Sequence, residues 1–386
     1  MDYLKIIIYK SIRLFFRIFC FFPIKDNRIM FESYKGRSYS CNPKYICEYL
    51  HNDNKWDMVW IINSSKRVSL PENMKSVKKR SLLNLYYHMT SKFIITNMTD
   101  DVYIPKREKQ VVINTWHAGG AYKRIGLSYE KAHSKLASWQ AKVVCKEISY
   151  FISSSELFTK YNINEAYHYY GKILKSGMPR NDLFFDDAKV REICKIVKRR
   201  LNICDKKVIL YAPTFRGDYG KAKEAECSLP IEEILNAFDR RKEDVVILNR
   251  SHYALNHQNS FCNSSVIDVS DYDDMQELLA VSDILITDYS SSIWDYSLTK
   301  RPCILYVPDR EEYLKERGTY TPLEKWPGVI TSNEKELIDA LLNIDDDLYK
   351  KKAIEALDYY HSYENGNACQ IIYRIIEEEY DSESVQ

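Results

Sequence analysis

Short apolar runs rich in β-branched residues alternate along the chain with longer stretches of helical periodicity. This alternation predicts parallel sheets covered by helices, because a helix usually makes the crossover between parallel strands. The predicted strands of the first half are Arg28–Phe31, Met58–Ile62, Phe93–Thr96, Gln110–Asn114, Tyr150–Ser153 and Ile173–Ser176. After a lysine-rich helix at Ala188–Leu201, the pattern starts again with Val208–Tyr211, Val245–Asn249, Val266–Asp268, Ile284–Thr287 and Cys303–Tyr306.

The restart of the pattern predicts two Rossmann-like α/β domains, and a length of 386 residues exceeds what one hydrophobic core usually supports. The expected segments are an amphipathic helix at 1–25, an N-terminal domain at 26–187 and a C-terminal domain at 188–386. Ligands bind beyond the carboxyl ends of the strands in open parallel sheets. The two domains are therefore expected to face a cleft, with the informative polar residues just after the strands.

The first 22 residues are mostly apolar and contain four basic side chains, of which Lys10, Arg13 and Arg17 fall within a sector of about 60° on a helix. A spanning helix needs about 20 residues nearly free of charge, and a secretory signal keeps its charges ahead of the apolar run. The segment is therefore interpreted as a helix lying on an anionic membrane surface. The alternative is a helix packed on the protein's own core.

Composition narrows the function classes. The formal net charge of +2 provides no global field for nucleic acid, so none is expected as a partner. The ten cysteines show no metal-ligand or disulfide spacing and are interpreted as small apolar residues in a reducing compartment. No tightly bound metal or cofactor is predicted, because the acidic run at Asp271 precedes a helix whose first turn favours acids. Walker, GxGxxG, HExxH and GxSxG motifs are absent from the sequence.

A histidine follows the predicted strand that ends at Asn114. His117 stands beside Gly119 and Gly120, and Lys123 comes shortly afterwards. Glycines allow the backbone to approach a ligand closely, and a strand end is a suitable place for a general base. His117 is the predicted catalytic base, with Gly119, Gly120 and Lys123 supporting the loop or the acceptor. The alternative is a structural imidazole.

Two further strand ends carry cationic or polar groups. Thr214, Arg216 and Asp218 follow the strand at Val208–Tyr211, and an arginine there can make a forked contact with phosphate. A surface ion pair between Arg216 and Asp218 is the alternative. Arg250 and His252 follow the strand at Val245–Asn249. These positions predict a cluster of groups that holds an anion.

The segment after the predicted strand Ile284–Thr287 is the richest in polar groups. Asp288 is followed by the hydroxyls of Ser290, Ser291 and Ser292, and then by Asp295. Amide groups and hydroxyls at a helix start suit phosphate oxygens, whereas a plain cap needs only one serine. The cluster is predicted to bind phosphate, and Asp295 either orients the loop or faces the ligand.

Five segments in this order resemble the CDP-glycerol glycerophosphotransferase family of teichoic-acid enzymes. They are Asn114-Thr-Trp-His-Ala-Gly-Gly, Gly177-Met-Pro-Arg-Asn-Asp, Tyr211-Ala-Pro-Thr-Phe-Arg, Arg250-Ser-His and Thr287-Asp-Tyr-Ser-Ser. The resemblance implies a glycosyltransferase-B type architecture with an N-terminal acceptor domain and a C-terminal CDP-donor domain. It also implies that His117 matches the family's proposed base and that His252 matches a second histidine near the donor diphosphate. Ala118, Phe215 and Tyr253 depart from the family's usual residues.

The resemblance implies transfer of glycerol phosphate or ribitol phosphate from CDP-glycerol or CDP-ribitol to a lipid-linked or polymeric cell-envelope acceptor. The enzyme would be peripheral to the cytoplasmic face of the membrane and would release CMP. Such loose transition states are stabilised mostly by positioning and charge neutralisation. The predicted donor-binding residues are Thr214, Arg216, Arg250, Asp288 and the serine cluster. His252 is the second predicted catalytic residue, because a cationic imidazole would offset the negative charge that builds on the leaving group. The alternatives are a sugar-nucleotide glycosyltransferase on the same fold and a catalytically silent envelope scaffold.

Overall fold

A computed structural model describes residues 2–51, 53–63, 70–72, 74–99, 102–129, 134–214, 229–250 and 265–384. The chain divides into two compact units. Unit 1 comprises Met1–Gly119, Ile125–Asp182 and Tyr363–Gln386, and unit 2 comprises Gly120–Arg124 and Leu183–Ser362. Each unit is therefore built from segments that are separate in sequence. Gly120–Arg124 belongs to unit 2, and the C-terminal segment Tyr363–Gln386 belongs to unit 1.

Unit 1 is built on a parallel sheet of seven strands in the order β3-β2-β1-β4-β5-β6-β7. The strands are β1 Lys25–Glu32, β2 Asp57–Ile62, β3 Lys75–Lys78, β4 Ser91–Thr96, β5 Val111–Asn114, β6 Tyr150–Ser153 and β7 Lys172–Lys175. Their apolar residues, among them Phe31, Phe93 and Ile113, form one core with Ile372 and Ile376 of the C-terminal helix. The strand order changes direction between β1 and β4.

Unit 2 is built on a parallel sheet of six strands in the order β10-β9-β8-β11-β12-β13. The strands are β8 Lys207–Tyr211, β9 Val245–Asn249, β10 Val266–Asp268, β11 Ile284–Thr287, β12 Cys303–Tyr306 and β13 Val329–Thr331. This order is that of a Rossmann fold, with the direction changing between β8 and β11. The two parallel sheets confirm the predicted α/β class with two Rossmann-like domains.

The α-helices of the described residues lie mostly between consecutive strands. They are α1 Asp2–Phe16, α2 Cys41–Leu50, α3 Leu82–Thr90, α4 Lys135–Glu147, α5 Glu156–Phe158, α6 Asp187–Leu201, α7 Ile231–Asp239, α8 Met275–Val281, α9 Ser292–Ser297, α10 Arg310–Glu316, α11 Glu334–Leu342, α12 Asp346–Tyr359 and α13 Ala368–Ser384. Short 3-10 helices occupy Arg17–Phe21, Tyr34–Gly36, Gly126–Ser128, Pro179–Phe185 and Leu323–Lys325, and a π-helical stretch occupies Thr159–Glu165.

Two strands were absent from the sequence prediction, and both lie at sheet edges. β3 has the sequence Lys-Ser-Val-Lys, with only Val77 buried, so it lacks the apolar run that marks an interior strand. β13 is three residues long. Edge strands are short and polar in many proteins, and these two give little periodic signal.

The C-terminal helix α13 packs in unit 1, whereas the expected boundary near residue 187 placed it in the second domain. Hydrogen bonds between residues 178–182 and residues 364–369 explain the difference. The Asp182 carboxylate accepts hydrogen bonds from the backbone N–H groups of Ala368 and Cys369 at 3.0 and 2.8 Å. Glu364 accepts from the Met178 N–H and from the Asn181 amide, both at 3.0 Å. The Gly177-Met-Pro-Arg-Asn-Asp segment thus anchors the returning chain.

The N-terminal helix α1 has no buried residue and lies against α4. Tyr9 stacks on Trp139 with ring centroids 6.1 Å apart. Arg13, predicted to face lipid, pairs with Glu147 and donates to the carbonyl of Val102 at 2.6 Å. This ion pair ties α1 to α4 within unit 1, and the lipid contact of the basic stripe stays a prediction. Among the helices that the structure describes, none has the length and apolar character needed to cross a bilayer.

Candidate active site

The segment Thr115–Gly119 follows β5 and changes the direction of the chain sharply. The Thr115 N–H still donates to the Thr96 carbonyl at 2.8 Å, so the ladder with β4 continues one residue past the strand. Trp116 then takes a left-handed conformation, with a φ of 51°. This conformation costs a non-glycine residue about 1–3 kcal/mol, and such residues cluster at functional sites. The Asn114 side chain stabilises the turn by accepting from the Trp116 N–H at 2.9 Å.

The His117 ring is oriented by a backbone carbonyl. Its Nδ1 lies 3.0 Å from the carbonyl oxygen of Asn97, the residue after β4. A carbonyl only accepts, so Nδ1 carries the proton and Nε2 of the neutral ring holds the lone pair. The ring stacks on Trp116 at 4.4 Å and lies 5.8 Å from the Tyr34 ring. These contacts leave His117 half-buried, in the tautomer that a general base with Nε2 as proton acceptor requires.

Two buried side chains hold the backbone around His117. The Arg180 guanidinium donates to the His117 carbonyl at 2.9 Å and contacts the Cys41 sulfur at 3.0 Å. The Asn42 amide donates to the carbonyls of Thr115 and Trp116, each at 3.0 Å, and its oxygen accepts from the Arg180 N–H at 3.2 Å. Arg180 is 4% exposed and Asn42 is fully buried. The position of the imidazole is therefore set by groups far away in the sequence.

Gly119, Gly120 and Lys123 lie on either side of the boundary between the units. In unit 1 the Ser154 hydroxyl donates to the Gly119 carbonyl. In unit 2 a Cβ on Gly120 would approach the Tyr122 ring to 2.3 Å, so a side chain at Gly120 is excluded by packing. Lys123 forms an antiparallel bridge with Thr319. The structure brings Gly119 to His117 and places Lys123 in the other unit.

In unit 2 Thr214 and Asp288 meet at the change in strand direction. The Asp288 carboxylate accepts from the N–H groups of Thr214 and Tyr289 at 2.8 and 2.6 Å. Beside it, the Thr287 hydroxyl donates to the Ala212 carbonyl at 2.6 Å. Both Thr214 and Asp288 are buried. Asp288 thus ties the ends of β8 and β11 together at the position where Rossmann-like sheets bind ligands.

The serine cluster leads into α9, which begins at Ser292. The N-cap residue Ser291 makes no side-chain cap hydrogen bond. The Ser290 hydroxyl instead accepts from the Ser292 N–H at 3.3 Å and from the Ser292 hydroxyl at 2.9 Å, so it satisfies an amide at the start of this short helix. Ser291 and Ser290 are half-buried. Asp295 is 2% exposed and accepts from the Gln276 amide at 3.0 Å, which makes it a support between α8 and α9.

Arg250 is anchored on the turn after β10. Its guanidinium donates to the Tyr272 carbonyl at 2.7 Å and lies 3.4 Å from the Val269 carbonyl. These contacts give it a structural role in unit 2 beside the predicted anion contact. Arg216, Asp218 and His252 lie outside the described residues, and their roles stay predictions.

Within the described ranges, no group of three or more His, Cys, Asp or Glu side chains has an arrangement that could hold a metal ion. Asp274, from the acidic run, caps α8 by accepting from the Gln276 N–H at 3.0 Å, as the helix-start interpretation expected. Burial raises the pKa of Tyr122 well above its ordinary value, so this phenol stays neutral.

Sequence reasoning missed several residues that form these sites. Asn97, Asn42 and the contacts of Arg180 escaped it. A signal was present for Asn97, because it directly follows the predicted strand Phe93–Thr96. Arg180 lies in one of the five segments of the family resemblance, but that resemblance does not show which group it contacts. Asn42 had no signal, because its contacts to the His117 segment span 73 and 74 residues.

A family profile described as CDP-Glycerol:Poly(glycerophosphate) glycerophosphotransferase matches residues 14–378. The chain is 35% identical over 350 residues to a teichoic acid poly(glycerol phosphate) polymerase of Bacillus subtilis strain 168, covering 85% of this chain and 45% of that protein. It is 33% identical over 389 residues to a teichoic acid glycerol-phosphate transferase of Staphylococcus aureus strain NCTC 8325 / PS 47. That alignment covers 97% of this chain and 98% of the relative.

A solved structure of the wall teichoic acid polymerase TagF, a variant soaked with CDPG, superposes with a TM-score of 0.85. The two chains are 29% identical, and the match covers 99% of this chain and 97% of the TagF chain. The fold similarity therefore extends over both units as well as the N-terminal and C-terminal helices. The chain spans less than half of the Bacillus subtilis relative and nearly all of the Staphylococcus aureus one.

Proposed function

Because this chain belongs to the CDP-glycerol:poly(glycerophosphate) glycerophosphotransferase family, we propose that it transfers a polyol phosphate from a CDP-alcohol to an acceptor hydroxyl in teichoic acid synthesis. The donor is CDP-glycerol or CDP-ribitol, and CMP is released. The observation that carries the proposal is the His117 ring, whose Nδ1 donates to the Asn97 carbonyl and whose Nε2 therefore bears the lone pair.

In this proposal the acceptor oxygen attacks the phosphorus that bears the polyol, and the bond from that phosphorus to the CMP oxygen breaks. His117 Nε2 takes the hydroxyl proton. Because the transition state is loose, most of the acceleration comes from holding the two substrates in line and balancing negative charge. The proposed donor-binding groups are Thr214, Arg216, Arg250, His252, Asp288 and Ser290–Ser292.

Two side-chain sets have supporting roles in this reaction. Asn42 and Arg180 position His117 by holding the carbonyls of its segment. Gly119, Gly120, Lys123, Asp218 and Asp295 are proposed to support loops or the acceptor. The buried contacts of Asp295 favour the loop-support role over direct ligand contact.

The test is donor-dependent release of CMP from the full chain with a lipid-linked acceptor. CDP-glycerol and CDP-ribitol are compared with UDP-glucose and UDP-N-acetylglucosamine, and product length is read by mass spectrometry. CMP release with one CDP-alcohol supports the proposal. UDP release from a UDP-sugar would favour the glycosyltransferase alternative, and no release from any donor would favour a silent scaffold.

We also propose that the chain acts at the cytoplasmic face of the membrane through α1 and the 3-10 helix that follows it. Seven large apolar side chains of this segment are more than half exposed: Tyr3, Leu4, Ile7, Leu14, Phe15, Ile18 and Phe21. Exposed apolar area of this kind marks an interaction surface. In a flotation assay with uncharged vesicles, replacing Leu14, Phe15 and Phe21 by serine should abolish flotation, and equal flotation would refute attachment through this segment.

A further inference from the structure

Unit 1 contains a cavity at the end of its strands opposite to His117. The cavity has a volume of about 900 Å³ and is lined by Lys92, Val111, Tyr150 and Lys172, which stand at the amino ends of β4, β5, β6 and β7. His117 follows the carboxyl end of β5. The cavity and His117 therefore lie at opposite ends of the strands of the same sheet. The family reaction leaves this cavity without a role.

The lining is strongly basic. Six lysines face two glutamates: Lys92, Lys106, Lys109, Lys142, Lys146 and Lys172 against Glu108 and Glu379. Glu379 is already engaged, because it accepts from the Tyr150 hydroxyl and lies 4.0 Å from the Lys172 ammonium. The cavity therefore presents a net excess of positive charge to any ligand.

Two of the lysines are held in an environment that favours an anion. Lys92 is 3% exposed, and the Lys106 ammonium is half-buried and donates to the Ser149 hydroxyl at 2.7 Å. Burial, together with the charge of Lys92, lowers the pKa of Lys106 against the opposing effect of Glu147 and Glu379. Like charges in a partly buried site repel each other, and a bound anion relieves both the repulsion and the desolvation.

The remaining walls are apolar and aromatic. Val111, Leu127 and Ile148 line the cavity together with the rings of Tyr150 and Tyr169. A small inorganic anion would leave these walls without contacts. A phosphate that carries an apolar or glycerol portion would use both parts of the lining, because ammonium groups donate to phosphate oxygens and apolar walls exclude water.

The position of the cavity gives a further indication of the kind of ligand that it binds. Helix α4 forms one wall through Ser138, Ala141 and Lys142, while its neighbouring face packs against α1 through the Trp139–Tyr9 stack. A smaller groove of about 520 Å³ shares Lys106, Glu108 and Lys109 with the cavity and also contains Arg17 and Cys20. The basic surface is therefore continuous with the segment that exposes apolar side chains.

We propose that this cavity binds the phosphodiester headgroup of an anionic phospholipid, such as phosphatidylglycerol, at the membrane surface. The proposal rests on the membrane attachment proposed above and adds selectivity for a lipid class, which an exposed apolar helix does not provide. Basic side chains near an anionic lipid surface each contribute to binding. Removing two lysines at the cavity rim should therefore lower the affinity for the lipid by a measurable amount.

The test uses soluble lipid, so that binding does not depend on membrane insertion. The full chain is titrated calorimetrically with dihexanoyl phosphatidylglycerol below its micelle concentration, and with dihexanoyl phosphatidylcholine, sn-glycerol 3-phosphate and inorganic phosphate. The variant Lys142→Gln/Lys146→Gln removes two exposed lysines that line the cavity. The matched control, Lys195→Gln/Arg199→Gln, removes two exposed charges at the same spacing on α6.

We expect phosphatidylglycerol to bind, phosphatidylcholine and inorganic phosphate to bind at least tenfold more weakly, and the Lys142/Lys146 variant to lose about tenfold in affinity. The control should bind as the wild type does. The proposal is overturned if phosphatidylglycerol does not bind, if the cavity variant binds unchanged, or if the control loses as much. It is also overturned if glycerol phosphate or inorganic phosphate binds as tightly as the lipid. CMP release and flotation on uncharged vesicles test the proposed function separately.

Discussion

The segments around His117 and Ser290 both follow a parallel strand, but they are held in different ways. The His117 segment depends on Asn42, Asn97 and Arg180, which are between 20 and 74 residues away in sequence. The serine segment is held by its own hydroxyls two residues apart, with the Asp288–Thr214 contact as its long-range tie. A reacting group needs one orientation, whereas an anion site can be built from local backbone geometry.

The sharpest test of this difference is removal of the imidazole itself. His117→Ala should lower the turnover number for CMP release by about 100-fold or more, because the general base is lost. His51→Ala, at the end of α2, is the control and should be close to wild type. Turnover is measured with saturating donor and with unfolding checked by circular dichroism. Near-normal turnover in His117→Ala would exclude the general-base role.

Arg180→Ala tests whether a long-range contact controls His117. The variant removes the donor to the His117 carbonyl, so the ring should shift and turnover should fall by about tenfold to 100-fold, with a smaller change in the donor KM. Arg180→Lys keeps the charge but loses the forked geometry and should recover only part of the activity. If the KM changes while turnover does not, Arg180 acts on substrate binding and the positioning role is wrong.

Asp288→Ala tests the hydrogen bond between Asp288 and the Thr214 N–H in unit 2. It leaves the buried Thr214 N–H without its acceptor, which should lower the free energy of unfolding by about 1–3 kcal/mol and raise the donor KM. Asp288→Asn keeps an accepting oxygen and should cost less. Ser290→Ala, which removes a local acceptor, should cost about 1 kcal/mol. A larger cost for Ser290→Ala than for Asp288→Ala, measured by urea unfolding, would reverse the proposed ranking.

Gly177→Ala tests the anchor of the C-terminal helix. Gly177 has a φ of +80°, and a Cβ there would lie 2.6 Å from the Glu364 carboxylate. The left-handed conformation alone should cost about 1–2 kcal/mol in unfolding free energy. Gly366→Ala, also at positive φ, is the comparison for the backbone conformation and should cost less, because the Glu364 contact adds to the cost at Gly177. Equal losses would show that the Glu364 contact adds nothing.

The smallest expected effect concerns pH. Burial opposes ionisation of Asp57, but hydrogen bonds from Lys75, Arg28 and Lys25 outweigh it and lower the pKa of this carboxyl. The folded pKa is below the unfolded value of about 3.9, so the stabilisation is complete above that pH and is lost as the pH falls through the folded pKa. Asp57→Asn should flatten the acid limb of stability below about pH 4, whereas Asp205→Asn should not. An unchanged acid limb in Asp57→Asn would contradict this account.

The periodic pattern predicted each interior strand of the two described sheets, because buried parallel strands are apolar runs bounded by polar residues. It also placed His117, Thr214 and Asp288 just after strands. It did not predict β3 and β13, whose short edge positions leave no such run. It did not predict the ion pair of Arg13 with Glu147, which forms because α1 packs on α4.

Sequence alone determined the α/β class, the repeated parallel pattern and the residues at the strand ends, because these depend on local periodicity. Only the tertiary structure decided the tautomer of His117, the role of Arg180 and the return of α13 to the first sheet. Those features come from contacts between residues distant in the chain. Such contacts form when the folded backbone brings the residues together, and hydrophobic periodicity contains no signal for them.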